Sequence, residues 1–117
     1  MNDKQITELD LAQFTGTSRY YKHWMGKIVY TDGVQYLAER AGAYWLIDLI
    51  ASYQPVEIEF QCWTLKVDDQ GGYSAICKDR DNMILLKQKF EYTDFPEHLM
   101  PFDLYLQNDV LYLPSED

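Results

Sequence analysis

The sequence is poor in the residues that most often carry disulfides and metal sites, with two cysteines and two histidines in 117 residues. Cys62 and Cys77 each lie inside an apolar, strand-like run, where small buried cysteines are common. Two separated cysteines do not make a disulfide framework. His23 and His98 show no spacing typical of metal ligands. The sequence therefore predicts neither a metal site nor a cofactor.

Basic residues are also few. The chain has 10 Lys and Arg and 19 Asp and Glu, which give a net charge of -9. Duplex nucleic acid and anionic lipid surfaces require basic protein surface, so the charge argues against both as direct partners. The acids are scattered without a block, which is typical of a charge that maintains solubility. Alternatively, an acidic surface can act as a decoy for the basic groove of a nucleic-acid-binding protein.

Long apolar runs are missing, and none approaches the length of a membrane-spanning helix. The N-terminal stretch MNDKQITELDLAQF is polar and unlike a signal peptide, so we expect a cytoplasmic protein. A hydrophobic content of 47% is too high for a disordered chain. The length suits one hydrophobic core, and we predict a single domain over residues 1–117.

What is present is a helical N-terminal part followed by strands. Apolar spacing predicts helices over 2–14, with Asn2 or Asp3 as the cap, over 32–41 and over 43–53. Residues 28–30, Ile-Val-Tyr, are expected to form a short strand. From residue 57 the apolar period changes to two, which predicts strands over 57–67, 73–77, 83–92, 102–106 and 110–113. The predicted class is α+β, with N-terminal helices packed on one face of a four- to five-stranded antiparallel meander sheet.

Two local patterns add detail to this fold. The apolar phase slips by one residue between Cys62 and Trp63, which predicts a β-bulge or sharp bend there. The triplet Tyr-Thr-Asp occurs at 30–32 and again at 92–94. Each copy is interpreted as a strand end whose Thr and Asp bond free backbone amides, the first at a helix start and the second in a turn. A catalytic pair of carboxylates, Asp32 and Asp94, would require the two copies to lie side by side.

Common catalytic motifs are missing, including a Gly-rich phosphate loop, HExxH and G-x-S-x-G. Cys77 precedes Lys78, so a Cys–His nucleophile pair is formally possible, but a cysteine inside a strand is more often packing. Asp48 interrupts the apolar 43–53 helix. We interpret it as the solvated stripe of that helix, and alternatively as a carboxylate at the edge of a pocket.

The chemically most distinctive stretch is SRYYKHWMGK, a basic and aromatic island in an acidic protein. Such a mixture binds single-stranded nucleic acid, anionic ligands or protein hot spots. The alternative is an aromatic loop folded over the core with its cations paired to acids. The candidate binding residues of this island are Arg19, Tyr20, Tyr21, Lys22, His23 and Trp24.

Four segments, LAQFTGTSRYYKH, VYTDGVQYLAERAGAYWLIDLIAS, EYTDFP and LYLPSED, occur in this order. Together they resemble a family of small bacterial proteins described as a domain of unknown function and often encoded on phage or plasmid DNA. YTDGVQYLAE and AYWLID are the specific part of the resemblance. It implies a standalone bacterial domain, favours an origin on a mobile element, and brings no catalytic residues.

These features favour a non-enzymatic module that binds or inhibits another protein. The alternative is a small-molecule-binding domain or minor enzyme with a pocket between the helices and the sheet. That pocket would lie near Tyr20, Trp24, Asp32, Asp48 and Asp94. A third hypothesis is single-stranded nucleic-acid binding through the basic and aromatic island.

Overall fold

The computed structural model describes residues 6–16, 19–54 and 58–117. The described residues form three α-helices, α1 (Glu8–Ala12), α2 (Asp32–Ala41) and α3 (Tyr44–Ser52). Within these ranges, none of the helices has the length and apolar character needed to cross a bilayer. The described strands are β1 (Tyr20–Lys22), β2 (Val29–Thr31), β3 (Phe60–Val67), β4 (Tyr73–Lys78), β5 (Ile84–Phe90), β6 (Phe102–Gln107) and β7 (Val110–Tyr112).

The α+β class is confirmed, but the predicted four- to five-stranded antiparallel meander is wrong. The seven strands form one mixed sheet in the order β1-β2-β7-β6-β3-β4-β5. A meander requires each strand to pair with the next one in the chain, whereas β6 pairs with β3 and β2 runs parallel to β7. β2 agrees with the short strand expected at 28–30. The three residues of β1 are too few to establish a period-two pattern.

Two of the three described α-helices, α1 and α2, begin where a threonine side chain accepts a free backbone N–H. Thr7 caps α1, and Thr7 and Asp10 bond each other's backbone N–H at 3.3 and 2.9 Å in a capping box. The predicted caps Asn2 and Asp3 lie outside the described residues. Thr31 caps α2, as predicted, by accepting the Val34 N–H at 3.3 Å. Gly42 ends α2 in the left-handed conformation with φ of 63°, which favours glycine.

The core lies between these helices and one face of the sheet. Trp63 and Leu65 of β3 are buried in the same hydrophobic cluster as Ile47 and Ile50 of α3. Strand β3 pairs on both sides, with β4 and with β6, so its inward side chains lie at the centre of the sheet. Burial of such side chains contributes about 1.5–3 kcal/mol each relative to leaving them in water.

The predicted bulge between Cys62 and Trp63 is wrong, because β3 keeps one continuous register with both neighbours. The inward residues are Gln61, Trp63 and Leu65, while Cys62 faces the other side. A buried glutamine made the apolar pattern appear to slip by one residue. Gln61 is satisfied inside, because Trp63 Nε1 donates to its Oε1 at 2.9 Å and Gln54 forms a reciprocal amide pair with it at 3.1 Å.

The first Tyr-Thr-Asp triplet is fixed by the C-terminal part of the chain. Thr31 Oγ1 donates to Glu116 Oε1 at 2.7 Å, and the Gly33 N–H donates to Glu116 Oε2 at 3.3 Å. The Leu113 N–H also donates to Oε1, at 2.8 Å. A Cβ at Gly33 would lie 2.7 Å from the Glu116 carboxyl carbon. The glycine after Asp32 therefore leaves the space in which this carboxylate lies.

We expect Glu116→Ala to lower the free energy of unfolding by about 1–3 kcal/mol, because it leaves the Thr31 hydroxyl and two backbone amides without their acceptor. Asp117→Ala, which removes the same charge from an exposed neighbour, is the matched control. Urea denaturation of both variants measures the difference. Equal stability of the two variants would contradict this role of Glu116.

Candidate functional site

A cleft of ≈ 560 Å³ lies between α3 and β5, and we call it the α3–β5 cleft. Helix α3 contributes Trp45, Asp48, Leu49 and Ser52 to its wall. These positions follow the i, i+3, i+4, i+7 spacing, which places their side chains on one face of a helix. Trp45 and Leu49 are partly buried and lie at the border between the core and the cleft.

The opposite wall comes from the edge of the sheet. Gln88 and Phe90 are two residues apart on β5, so both side chains face the cleft. The Phe90 ring packs edge-to-face on Trp45, with centroids 5.2 Å apart. Tyr53 donates its hydroxyl proton to Gln88 Oε1 at 2.5 Å, which ties the end of α3 to β5.

The segment after β5 and the turn between β1 and β2 complete the rim, through Tyr92, Thr93, Asp94 and Met25. The Tyr92 side chain is 76% exposed. Its hydroxyl donates to Asp94 Oδ1 at 2.5 Å. This hydrogen bond to a carboxylate raises the pKa of Tyr92 above its usual range.

Asp48 accepts two hydrogen bonds at the same oxygen. His23 Nε2 donates to Oδ1 at 2.6 Å, and Trp24 Nε1 donates to Oδ1 at 3.0 Å. His23 is buried, whereas Trp24 is 75% exposed. The Asp48 side chain is 47% exposed, and no donor among the described residues bonds its second oxygen, Oδ2.

The hydrogen bonds of His23 define its proton position. The Met25 N–H donates to Nδ1 at 3.2 Å, so Nδ1 carries the lone pair and the single N–H of the neutral ring is at Nε2. Both ring nitrogens are thereby occupied. His23 has no lone pair left for a proton from a ligand, so in this arrangement it positions Asp48 and is not a general base.

The charge of the cleft has one sign. Asp48 and Asp94 both line it, and no Lys or Arg is among the lining residues that the structure describes. The rest of the wall is mostly apolar and aromatic. This arrangement suits an apolar group that carries a positive charge, because carboxylates at the border of an apolar wall favour a cation there.

Four of the residues predicted as binding candidates meet at this cleft. Asp48 and Asp94 line it, and His23 and Trp24 bond to Asp48. Asp48 thus lies at the edge of the cleft with its side chain 47% exposed to solvent.

The remaining candidates lie elsewhere. Arg19, Tyr20 and Lys22 are exposed at the edge strand β1, and Tyr20 lines a different cavity. Tyr21 stacks on Tyr30 with centroids 5.6 Å apart. Asp32 is the first residue of α2. The residues of the island thus lie apart, at the edge strand β1, in the buried His23 ring and in the exposed Trp24 indole. They do not form one stacking surface.

The two Tyr-Thr-Asp copies line different cavities. Thr31 faces the one beside Glu116, and Thr93 and Asp94 face the α3–β5 cleft. Thr93 accepts the Phe95 N–H at 3.1 Å, which confirms that this threonine bonds a free backbone amide in a turn.

The cysteines show no nucleophilic environment. Cys77 is fully buried, and burial raises the pKa of its thiol to about 12. Its Sγ donates weakly to Gln61 Oε1 at 3.7 Å. Packing, the favoured interpretation of this residue, is confirmed. Over the described ranges, no group of three His, Cys, Asp or Glu is arranged to hold a metal ion.

Sequence reasoning missed Ser52, Gln88 and Met25 as lining residues. The helical spacing from Asp48 to Ser52 could have identified the first, because both lie on one face of the 43–53 helix. No sequence signal indicated Gln88 or Met25, since their positions depend on which strand forms the sheet edge and on the turn after β1.

We expect Asp48→Ala to lower the free energy of unfolding by about 1–3 kcal/mol, because the buried His23 N–H loses its acceptor. Asp69→Ala removes the same charge from an exposed turn and should change stability by less than about 0.5 kcal/mol. Thermal and urea unfolding measure both variants. Indistinguishable values would show that the His23–Asp48 bond contributes nothing.

The raised pKa of Cys77 predicts a loss of stability at alkaline pH. A thiol with a folded-state pKa of about 12 and an ordinary value of 9.0 contributes stability that is full below about pH 9 and is lost as pH rises toward about 12. The stability difference between the unmodified chain and Cys77→Ala should therefore shrink by about 2 kcal/mol between about pH 7 and about pH 10.5.

The tyrosines ionise in the unmodified chain and in Cys77→Ala alike, so their effect cancels in the stability difference. That difference therefore reports on the Cys77 thiol alone. Cys62→Ala is the comparison variant. Cys62 is only partly buried, and its pKa is raised with burial as the largest cause. The measurement is urea unfolding at the two pH values. If the stability difference between the unmodified chain and Cys77→Ala stayed constant with pH, Cys77 would not be a neutral thiol whose pKa is raised by burial.

Comparison with known proteins identifies the family. No curated protein and no solved structure matches the chain. The model of a family of unknown function, DUF6876, matches residues 5–117. The match bears out the resemblance drawn from the sequence, while the bacterial and phage or plasmid origins stay predictions. Since nearly the whole chain is matched, the protein belongs to this family of unknown function, DUF6876.

Proposed function

We propose that this chain is a non-enzymatic binding protein whose α3–β5 cleft receives an apolar, positively charged group of a partner protein. The observation that carries the proposal is the state of Asp48. Both protein donors bond Oδ1, and no described donor bonds Oδ2, so one carboxylate oxygen is held in place without being used internally. Such a pre-positioned acceptor loses little conformational entropy when a cation binds.

The apolar wall supports the same proposal. Trp45, Leu49 and Phe90 supply a partly buried apolar surface of the kind that accommodates an anchoring side chain. Trp24 and Tyr92 at the border expose large aromatic rings. Trp and Tyr are enriched in binding hot spots, and hydrogen bonds to Asp48 and Asp94 orient both side chains.

The charge of the whole chain favours a basic partner. A net charge of -9 attracts a positively charged surface during encounter and repels acidic ones. An inhibitory role, in which the acidic surface blocks a basic groove, is part of this proposal. A cytoplasmic location and a mobile-element origin stay predictions.

A second candidate is a small-molecule-binding domain. The volume of ≈ 560 Å³ supports it, because ligand pockets commonly measure about 300–1,000 Å³. The same chemistry would select a small amine with an apolar body. His23 offers no general base there, so this candidate is binding rather than catalysis.

Selection from a displayed library of random peptides of about 12 residues tests the proposal. We expect the enriched peptides to share an apolar or aromatic residue next to Lys or Arg. Ser52 is exposed at the cleft wall, so Ser52→Phe should fill the cleft and weaken the selected peptides by about tenfold or more. Ser52→Ala is the matched control and should bind as the unmodified chain does.

Two results would contradict the proposal. One is a library that yields no enriched peptide. The other is enriched peptides whose affinity Ser52→Phe leaves unchanged, because they would bind outside the cleft. An apolar amine that binds the unmodified chain but not Ser52→Phe, together with a failed peptide selection, would favour the second candidate.

A further inference from the structure

We infer that the partner segment binds in an extended conformation, as an additional strand on β5, with alternate side chains in the α3–β5 cleft. This inference rests on the proposed function and specifies its binding mode. In the sheet, β5 is the strand at one edge. The outer edge of such a strand presents backbone N–H and C=O groups that another chain can pair with.

The two edges of the sheet differ in what they offer. The strand at one edge, β1, has three residues, whereas β5 at the other edge has seven. Seven residues are enough for several ladder hydrogen bonds with an added strand. Only β4 pairs with β5 among the described parts of the chain.

The cleft lies along the same strand. Side chains alternate between the two faces of a strand, and Gln88 and Phe90 face the cleft while Lys87 and Lys89 face the other side. An added strand continues this alternation. Every second side chain of the partner would lie over the cleft beside Gln88 and Phe90, within reach of Asp48 and Asp94.

Lysines on an edge strand usually discourage pairing with another chain. Here both lysines are directed back across the sheet, because Lys87 Nζ lies 3.5 Å and Lys89 Nζ lies 3.1 Å from the Asp68 carboxylate. The Asp68 side chain is buried at the end of β3, on the far side of β4 from β5. Their charged heads are therefore held away from the open edge.

The start of β5 also exposes apolar side chains. Met83 is 66% exposed and Ile84 is 56% exposed. Together with Tyr92 beyond the other end of the strand, they give the edge apolar contacts at both ends. An added strand of comparable length would cover them.

The occupant with the right chemistry is a basic, partly apolar segment of another protein. A second copy of this chain carries the same net charge of -9 and the same two cleft carboxylates, so charge complementarity disfavours it. A basic segment instead places its cations near Asp48 and Asp94 while its backbone pairs with β5.

Backbone methylation of the tightest-binding library peptide tests the strand addition. Methyl groups on alternate backbone nitrogens remove donors without changing the side chains. Methylation of the residues whose N–H faces β5 should weaken binding by about tenfold or more, and methylation of the intervening residues should have much less effect. Amide hydrogen exchange of the full chain should show new protection at alternate residues of Ile84–Phe90.

The outcomes separate the inference from the function that it rests on. Equal effects of both methylation patterns, with no new protection in β5 but retained sensitivity to Ser52→Phe, would overturn strand addition and leave the cleft as a binding site. Absence of any peptide binding would overturn both. Peptide-independent dimerisation that protects β5 would identify a second copy as the occupant and would also overturn the inference.

Discussion

The hydrogen bond from His23 Nε2 to Asp48 Oδ1 holds the candidate site together. It joins the turn after β1 to the middle of α3, two parts of the chain separated by 25 residues. The same oxygen fixes the Trp24 indole, and His23 in turn accepts the Met25 N–H, so three consecutive residues of the turn are placed by one carboxylate. Leaving the buried His23 N–H without an acceptor would cost free energy, so the hydrogen bond to Asp48 stabilises this arrangement. Oδ1 of Asp48 thus accepts both hydrogen bonds, and no donor among the described residues bonds Oδ2.

Local structure followed from the sequence because it depends on neighbouring residues. The Thr31 cap and the Gly42 end of α2 are set within one turn of helix, and the sequence predicted both the cap and the bounds 32–41. Strand order depends on long-range choices. The pairing of β6 with β3 and the parallel pairing of β2 with β7 leave no local signal, so a meander was the natural but wrong expectation.

Gln61 shows why patterns of polarity fail at particular positions. A glutamine in a strand is normally assigned to the solvated face, yet this one is 2% exposed and bonds Gln54, Trp63 and Cys77. The Gln54 amide follows the end of α3 and the Cys77 thiol lies in β4, so these partners become neighbours of Gln61 only after folding. Of the candidate site, Asp48 stood out because a carboxylate interrupts an apolar helix. The sequence also placed Asp94 near a pocket between the helices and the sheet, and both carboxylates line the cleft. That β5 is the edge strand beside α3, and so forms the opposite wall, could not be foreseen.

The most direct measurement compares two ligands that have the same apolar body and opposite charge, 4-phenylbutylamine and 4-phenylbutyrate. Three tryptophans serve as reporters in a two-dimensional ¹⁵N–¹H spectrum. The Trp24 indole N–H bonds Asp48 of the cleft wall and Trp45 lines the cleft, while Trp63 is buried and serves as the internal reference. We expect the amine to shift the indole N–H signals of Trp24 and Trp45 and to leave Trp63 in place, whereas the carboxylate should shift none of the three signals. Equal shifts with both ligands, or none with either, would contradict a cleft that selects an apolar cation.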